Sequence, residues 1–444
     1  MLQPTFQESH RPRFTRAVRS HRVRGCELNR SRGENLLPVE VKEVSFAGSN
    51  YHELKGDSGS PWYSAPHWVD VNGDGTAMTN TSSGEKNYPV AFTRNTKPQV
   101  GGKFKIAGLP SGQSVKIKAS SAQGLQIPET TVTPAADGAF TLPLTPASNN
   151  LTNSVQFHNA EDDTAFKIDW EISIGSGGWS VLGSTKHTVY IVNSNPTQSP
   201  SSYRETLFYL ACHNADNKSS ENQIVDAIYG EFSDRKVAKV LPSRGKPSAE
   251  YLSYTHGGLF TPTNQAWYQL LDSGTAQCTA WSNLLDMVLQ CHGITANRIQ
   301  VRPPPPDELP MELLTNLAYD AAQLHPGVNF HVGQTAIFVK NRQLNPSNGF
   351  SGQDLGSIPG QNVDDPASIF GMHEFNLHNG RWFDPSYGTR QGSNSGGWQN
   401  DWELNSLETM GGLINFPQAS DFQRKWSPVR NACLIDSSNY EQVD

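Results

Sequence analysis

The hydrophobic period of this chain changes once, across the polar, proline-containing stretch Asn193-Ser-Asn-Pro-Thr-Gln-Ser-Pro-Ser-Ser202. Before it, from about Val39 to Val192, apolar residues alternate with polar ones in short runs separated by turn residues. Phe166, Ile168, Trp170, Ile172 and Ile174 alternate with Lys167, Asp169, Glu171 and Ser173; Phe104-Lys-Ile106, Val115-Lys-Ile117 and Phe140-Thr-Leu142 behave alike. A period of two marks strands with one face in a core. After the stretch, apolar residues fall three and four apart: Leu207, Leu210 and Ala211 within 203–213, then Ile224, Val225 and Ile228 within 221–232. That is helical spacing. Met311–Leu324 is predicted as a further helix, Pro303 to Pro306 as a stiff connection before it, and Thr335–Val339 as a strand.

This pattern predicts an N-terminal all-β sandwich over 39–192, with one or two immunoglobulin-like modules, and a C-terminal α+β domain over 203–444. Residues 193–202 are the expected linker. The 444 residues suffice for two or three cores. With 38 Gly and 29 Pro, turns are frequent. A net charge of −7 argues against a general nucleic-acid binder. No apolar run is long enough for a transmembrane helix.

Residues 1–38 are expected to be a disordered basic leader: the first 34 residues hold eight arginines and three glutamates. They contain no apolar core of signal-peptide type, so they assign no compartment, although β-sandwich modules lean towards an extracytoplasmic one. Five cysteines, at 26, 212, 278, 291 and 433, are too few and too irregular for a disulfide framework or a zinc site. No cofactor or metal is implied.

Two short segments imitate functional motifs. Gly56-Asp-Ser-Gly-Ser-Pro61 resembles a serine-protease nucleophile segment, but too little chain precedes it for the required barrel, histidine and aspartate. It is read as a turn. Asp70-Val-Asn-Gly-Asp-Gly75 fits the start of a calcium loop, but Thr81 stands where a bidentate glutamate belongs, so a hairpin turn is expected.

The strongest chemical signal is Cys278, which precedes Trp281, Leu284, Leu285, Val288 and Leu289 at helical spacing. It therefore falls in the first turn of a buried helix, where unpaired N–H groups and the helix dipole favour a thiolate. Cys291 ends the same helix, roughly 20 Å away, and is excluded as a disulfide partner. Gly293 is the expected helix stop.

Asn379-Gly380 is a two-residue hairpin signal within His373-Glu-Phe-Asn-Leu-His-Asn-Gly-Arg-Trp-Phe-Asp384. In that register Leu377 pairs with Trp382. One face then carries His373, Phe375, Leu377, Trp382 and Asp384; Glu374, Asn376, His378, Arg381 and Phe383 fall on the other. His373 and Asp384 become diagonal neighbours within hydrogen-bonding reach. His378 points the opposite way. A lone buried cysteine or histidine is ordinarily structural. The combination of helix-start Cys, strand His and same-face Asp points to nucleophilic catalysis.

From about Ser273 to Thr389 the chain resembles the transglutaminase-like superfamily of papain-like cysteine enzymes. In that family the helix opened by the cysteine ends in Gly-Ile-Pro-Ala-Arg and leads into a strand. Here it ends in Gly293-Ile-Thr-Ala-Asn-Arg298. His373-Glu-Phe-Asn-Leu and Arg381-Trp-Phe-Asp-Pro-Ser386 resemble the family's histidine and aspartate strands, with Trp382 closer to Asp384 than the pattern has it. The resemblance covers about a quarter of the chain.

It implies a cysteine-dependent acyl transfer on amide bonds of peptides or proteins. Cys278 is the nucleophile, His373 the proton shuttle and Asp384 the group that orients the imidazole. The Cys278 N–H is one oxyanion donor, and Gln277, Gln265 and Trp267 are candidates for a second. A peptidase or amidase is favoured. The alternatives are a protein cross-linking transglutaminase and a catalytically silent binding or adhesion protein. The Gly/Pro/Asn-rich residues 342–371 are expected to form a lid over part of the cleft.

Overall fold

The computed structural model describes residues 38–59, 61–79, 82–110, 112–255, 266–301, 331–339, 360–363, 369–370, 373–390, 407–415 and 440–443. The predicted basic leader (but for Pro38), the helix at Met311–Leu324, the Pro303–Pro306 connection, Thr81, Gln265 and most of the predicted lid lie outside them. Strands predominate and helices are few.

Period-two sequence produces two sheets that meet through aromatic rings. One has the order Lys86–Asn87, Trp68–Val69, Val39–Ala47, Gln99–Ile106, Ala139–Pro146. The other runs Ser180–His187, Phe166–Ile174, Val115–Ser120, Gln126–Val132. Phe166, Ile168, Trp170 and Ile172 are buried while Lys167 between them is exposed. Trp170 meets Phe104 of the first sheet edge-on, ring centroids 5.1 Å apart, and Phe104 stacks on Phe140 at 5.2 Å. Such pairs add to the burial of their area.

A third sheet has a different sequence signature and a different place. Val90-Ala-Phe-Thr93 and Val189-Tyr-Ile-Val192 are continuous runs, buried at every position, and they pair parallel. Continuous rather than alternating burial means that both faces are covered. Phe92 meets Phe46 of the first sheet at 6.1 Å on one side. On the other, Tyr190 meets Phe208 at 6.4 Å. Phe208 belongs to helix α1 (Glu205–Cys212), all of whose residues are buried. One apolar cluster therefore runs from Leu54, Ala91, Tyr190 and Val192 into the helices without a break.

Residues 193–202 are stitched down rather than suspended. Asn193 N–H donates to His292 Nδ1 at 3.0 Å, and Thr197 N–H to the Gln290 carbonyl at 3.1 Å. His292 also bonds the Ala211 carbonyl through Nε2 at 2.8 Å. The two imitation motifs are structural. Asp57 of the Gly56–Pro61 segment accepts from the N–H and hydroxyl of Thr206, in the first turn of α1, doing a cap's work from a distance. Asp70 takes the N–H groups of Gly73 and Gly75 at 2.6 and 2.8 Å.

Among the described residues the remaining α-helices are α2 (Glu221–Ser233), α3 (Trp267–Ser273) and α4 (Cys278–Gln290). Past α4 the chain turns at Gly293, φ +70°. It then enters a sheet ordered Thr389–Arg390, Arg381–Asp384, His373–His378, Asn297–Val301, Tyr440–Val443. A further sheet orders Ile369–Phe370, His331–Val339 and Leu407–Asn415.

Candidate active site

The turn at Asn379-Gly380 has both residues at positive φ, +49° and +75°. That is the backbone of a tight hairpin with native strand twist. The pairing it imposes is Asn376 with Phe383, Leu377 with Trp382 and His378 with Arg381. Phe375 stacks on Trp382 at 4.7 Å on one face. The opposite face is not open: Glu374 and Asn376 are buried, and Asn376 donates to the Ser282 carbonyl of α4 at 3.0 Å. The hairpin is gripped on both sides, which holds His373 and Asp384 in place.

His373 Nε2 and Asp384 Oδ2 lie 2.6 Å apart, with the two residues 0 % and 1 % exposed. The second Asp384 oxygen accepts from the Ser386 N–H at 3.1 Å, and its carbonyl accepts from the Tyr229 hydroxyl at 2.8 Å. Burial disfavours an imidazolium at His373. The Asp384 charge and hydrogen bond, with a hydrogen bond to Cys278, outweigh that and raise its pKa to about 10. Since Nε2 faces Asp384, Nδ1 is the nitrogen left for the thiol.

Cys278 is the first residue of α4, 6 % exposed. Gln277 before it is partly buried with extended backbone, and its side chain does not cap the helix. The other two described cysteines are likewise buried free thiols. Burial pushes the Cys291 thiol up to about 12 and the Cys212 thiol well above its ordinary value. His378, directed away, bonds the Thr295 carbonyl through Nδ1 at 2.9 Å. Trp267 opens α3 and is nearly buried.

Several neighbours of the cysteine and histidine carry no local sequence signal. Tyr254 and Tyr387 are buried, hydrogen-bond to each other, and have phenols raised well above the ordinary value, first by burial. The Tyr387 ring lies 5.6 Å from that of His373. Gln361 Nε2 donates to the carbonyls of Phe232 and Pro385, both at 2.7 Å, and fixes the turn after Asp384. Glu374 pairs with Arg298 at 3.2 Å, and burial raises its pKa. Among the described residues no group of three or more His, Cys, Asp or Glu is placed to hold a metal ion.

No family model matches the chain, and no curated protein does. Among solved structures, red sea bream transglutaminase is similar in part, at 11 % identity and a TM-score of 0.28. That similarity covers 78 % of this chain and 61 % of the transglutaminase chain, so under two thirds of the latter is spanned. No described helix is long and apolar enough to cross a membrane.

Proposed function

We propose that this chain is a transglutaminase-like cysteine enzyme that transfers acyl groups from peptide amides, with water as the acceptor. In this reading residues 203–444 form the enzyme domain and 39–192 a β-sandwich region of one or two immunoglobulin-like modules. The observation that carries it is a buried histidine bonded to a carboxylate at 2.6 Å through Nε2, whose proton affinity is raised by that carboxylate and, after it, by the thiol that opens α4. A merely structural histidine has no need of both partners.

With the proton already held on His373, the Cys278 sulfur attacks the amide carbonyl as a thiolate. The resulting oxyanion is held by the Cys278 N–H and, as second donor, the Gln277 side chain. His373 returns the proton to the leaving amine as the C–N bond breaks, leaving a thioester. Water then attacks with His373 as base, releasing a carboxylic acid and restoring the thiolate. Asp384 fixes the ring orientation and stabilises the imidazolium, which is the resting form and is regenerated when water is deprotonated.

The test is alkylation by limiting iodoacetamide at about pH 6.5, with peptide mapping of all five cysteines. Cys278 is expected to label first, and His373→Ala is expected to abolish the preference. Uniform slow labelling would remove the basis for an enzyme. Incorporation of a fluorescent primary amine into casein would instead make the acceptor an amine.

A further inference from the structure

Four side chains stand in a row where the β-rich half meets α1. Lys55 pairs across its backbone with Trp62 on one side and Arg204 on the other. Directly paired residues present their side chains to the same face. The Lys55 ammonium sits 4.7 Å from the Trp62 ring centroid, and the Arg204 guanidinium carbon 5.5 Å from that of Trp267. The order is aromatic, cation, cation, aromatic.

The two cations are adjacent, and among the described residues neither is held in an ion pair, although Arg204 acts on the Asp57 charge. Lys55 is 8 % exposed, and Arg204 Nε and Nη1 are buried without a hydrogen-bond partner. The carboxylates nearby give their hydrogen bonds elsewhere: Asp57, which feels the Arg204 charge, to Thr206, and Glu205 to the Tyr63 hydroxyl and the N–H groups of Ser243 and Gly245. Burial, then the neighbouring Arg204, lowers the Lys55 pKa. Withdrawn cations without partners are a cost to folding. Their chemistry suits a planar carboxylate, which a guanidinium meets with a fork of N–H donors and an ammonium reinforces.

We propose that Trp62, Lys55, Arg204 and Trp267 form a carboxylate-binding subsite that selects an acidic residue in the peptide substrate. Trp62, 41 % exposed, is the outer wall. Trp267, the inner wall, opens α3, which packs against α4 and leads through Gly274–Gln277 to Cys278. The substrate role rests on the acyl-transfer reading; the affinity for a carboxylate does not.

The test uses the full chain carrying Cys278→Ala, so that no turnover is needed. Binding of acetyl-Glu-Gly-amide and acetyl-Gln-Gly-amide is compared by calorimetry. The acidic peptide is expected to bind about tenfold tighter or better, and Arg204→Gln is expected to erase the difference. Lys55→Met separates function from structure. It is expected to weaken the acidic peptide while leaving Tm unchanged or raised, because it removes a buried unpaired charge. A fall in Tm with peptide preference retained would make Lys55 structural and overturn the proposal. So would equal binding of the two peptides, or Arg204-dependent binding of inorganic phosphate without binding of the acidic peptide. Loss of selective Cys278 labelling would defeat the enzyme reading while leaving these binding results to stand alone.

Discussion

At the scale of single residues, His373 decides most of what the site can do. Its raised pKa means that the folded protein holds a proton there which the unfolded chain releases near pH 6.5. That stabilisation is complete below about pH 6.5 and is lost as pH rises through about 10. Asp384→Asn removes the charge responsible, so the alkaline loss of Tm is expected to flatten in the variant, along with Cys278 labelling at neutral pH. An unchanged alkaline slope would show that Asp384 does not set the His373 proton affinity. The relation between His373 and Asp384 was legible because one dipeptide, Asn379-Gly380, dictates the turn and therefore every pairing above it. Tyr254, Gln361 and Tyr387 were not legible. Each reaches its place through contacts between distant segments, and no periodicity announces it.

Among the elements, α4 was the most readable, since its apolar positions repeat at helical spacing and a glycine follows. What the sequence could not convey is how tightly its end is built into the 193–202 segment. Gly293 has φ +70°, and a β-carbon there would crowd Ser194 and lie 2.9 Å from the Asn195 carbonyl. Gly274, ending α3 at φ +78°, has nothing within 4 Å of the same position. Gly274→Ala is therefore expected to cost only the left-handed backbone penalty, about 1–2 kcal/mol. Gly293→Ala is expected to cost more, because the segment must also move. Equal losses in urea unfolding would mean that the segment yields freely. Polar composition had marked 193–202 as a linker, but polar side chains leave backbone N–H groups equally able to dock on a helix end. Composition therefore carried no information about that docking.

For the whole molecule, the change of period foretold a strand-rich part followed by a part with helices, but not the sheet buried on both faces between them. Continuous runs such as Val189–Val192 are short enough to suit several settings, and only the tertiary structure chooses. Protons act across both parts. Burial lowers His52, His67 and His292 to about 4 and His187 to about 3. The unfolded chain takes up these protons first, so stability is expected to fall as pH drops from about 6.5 towards 4. Glu205, raised to about 7, and Asp57, Asp286 and Glu374, also raised by burial, act in the opposite direction, but with His158 the lowered imidazoles among the described residues number five against these four carboxyls. A Tm that is flat or rising over that interval would contradict the assignment of these histidines as neutral. The shared core also has a consequence for biosynthesis. Helix α1 seals the middle sheet yet is buried all round, with apolar residues from Leu207 onward, and α4, which the ribosome delivers later, packs against it. Until then the nascent chain carries an uncovered greasy rod, a natural hold point for chaperones.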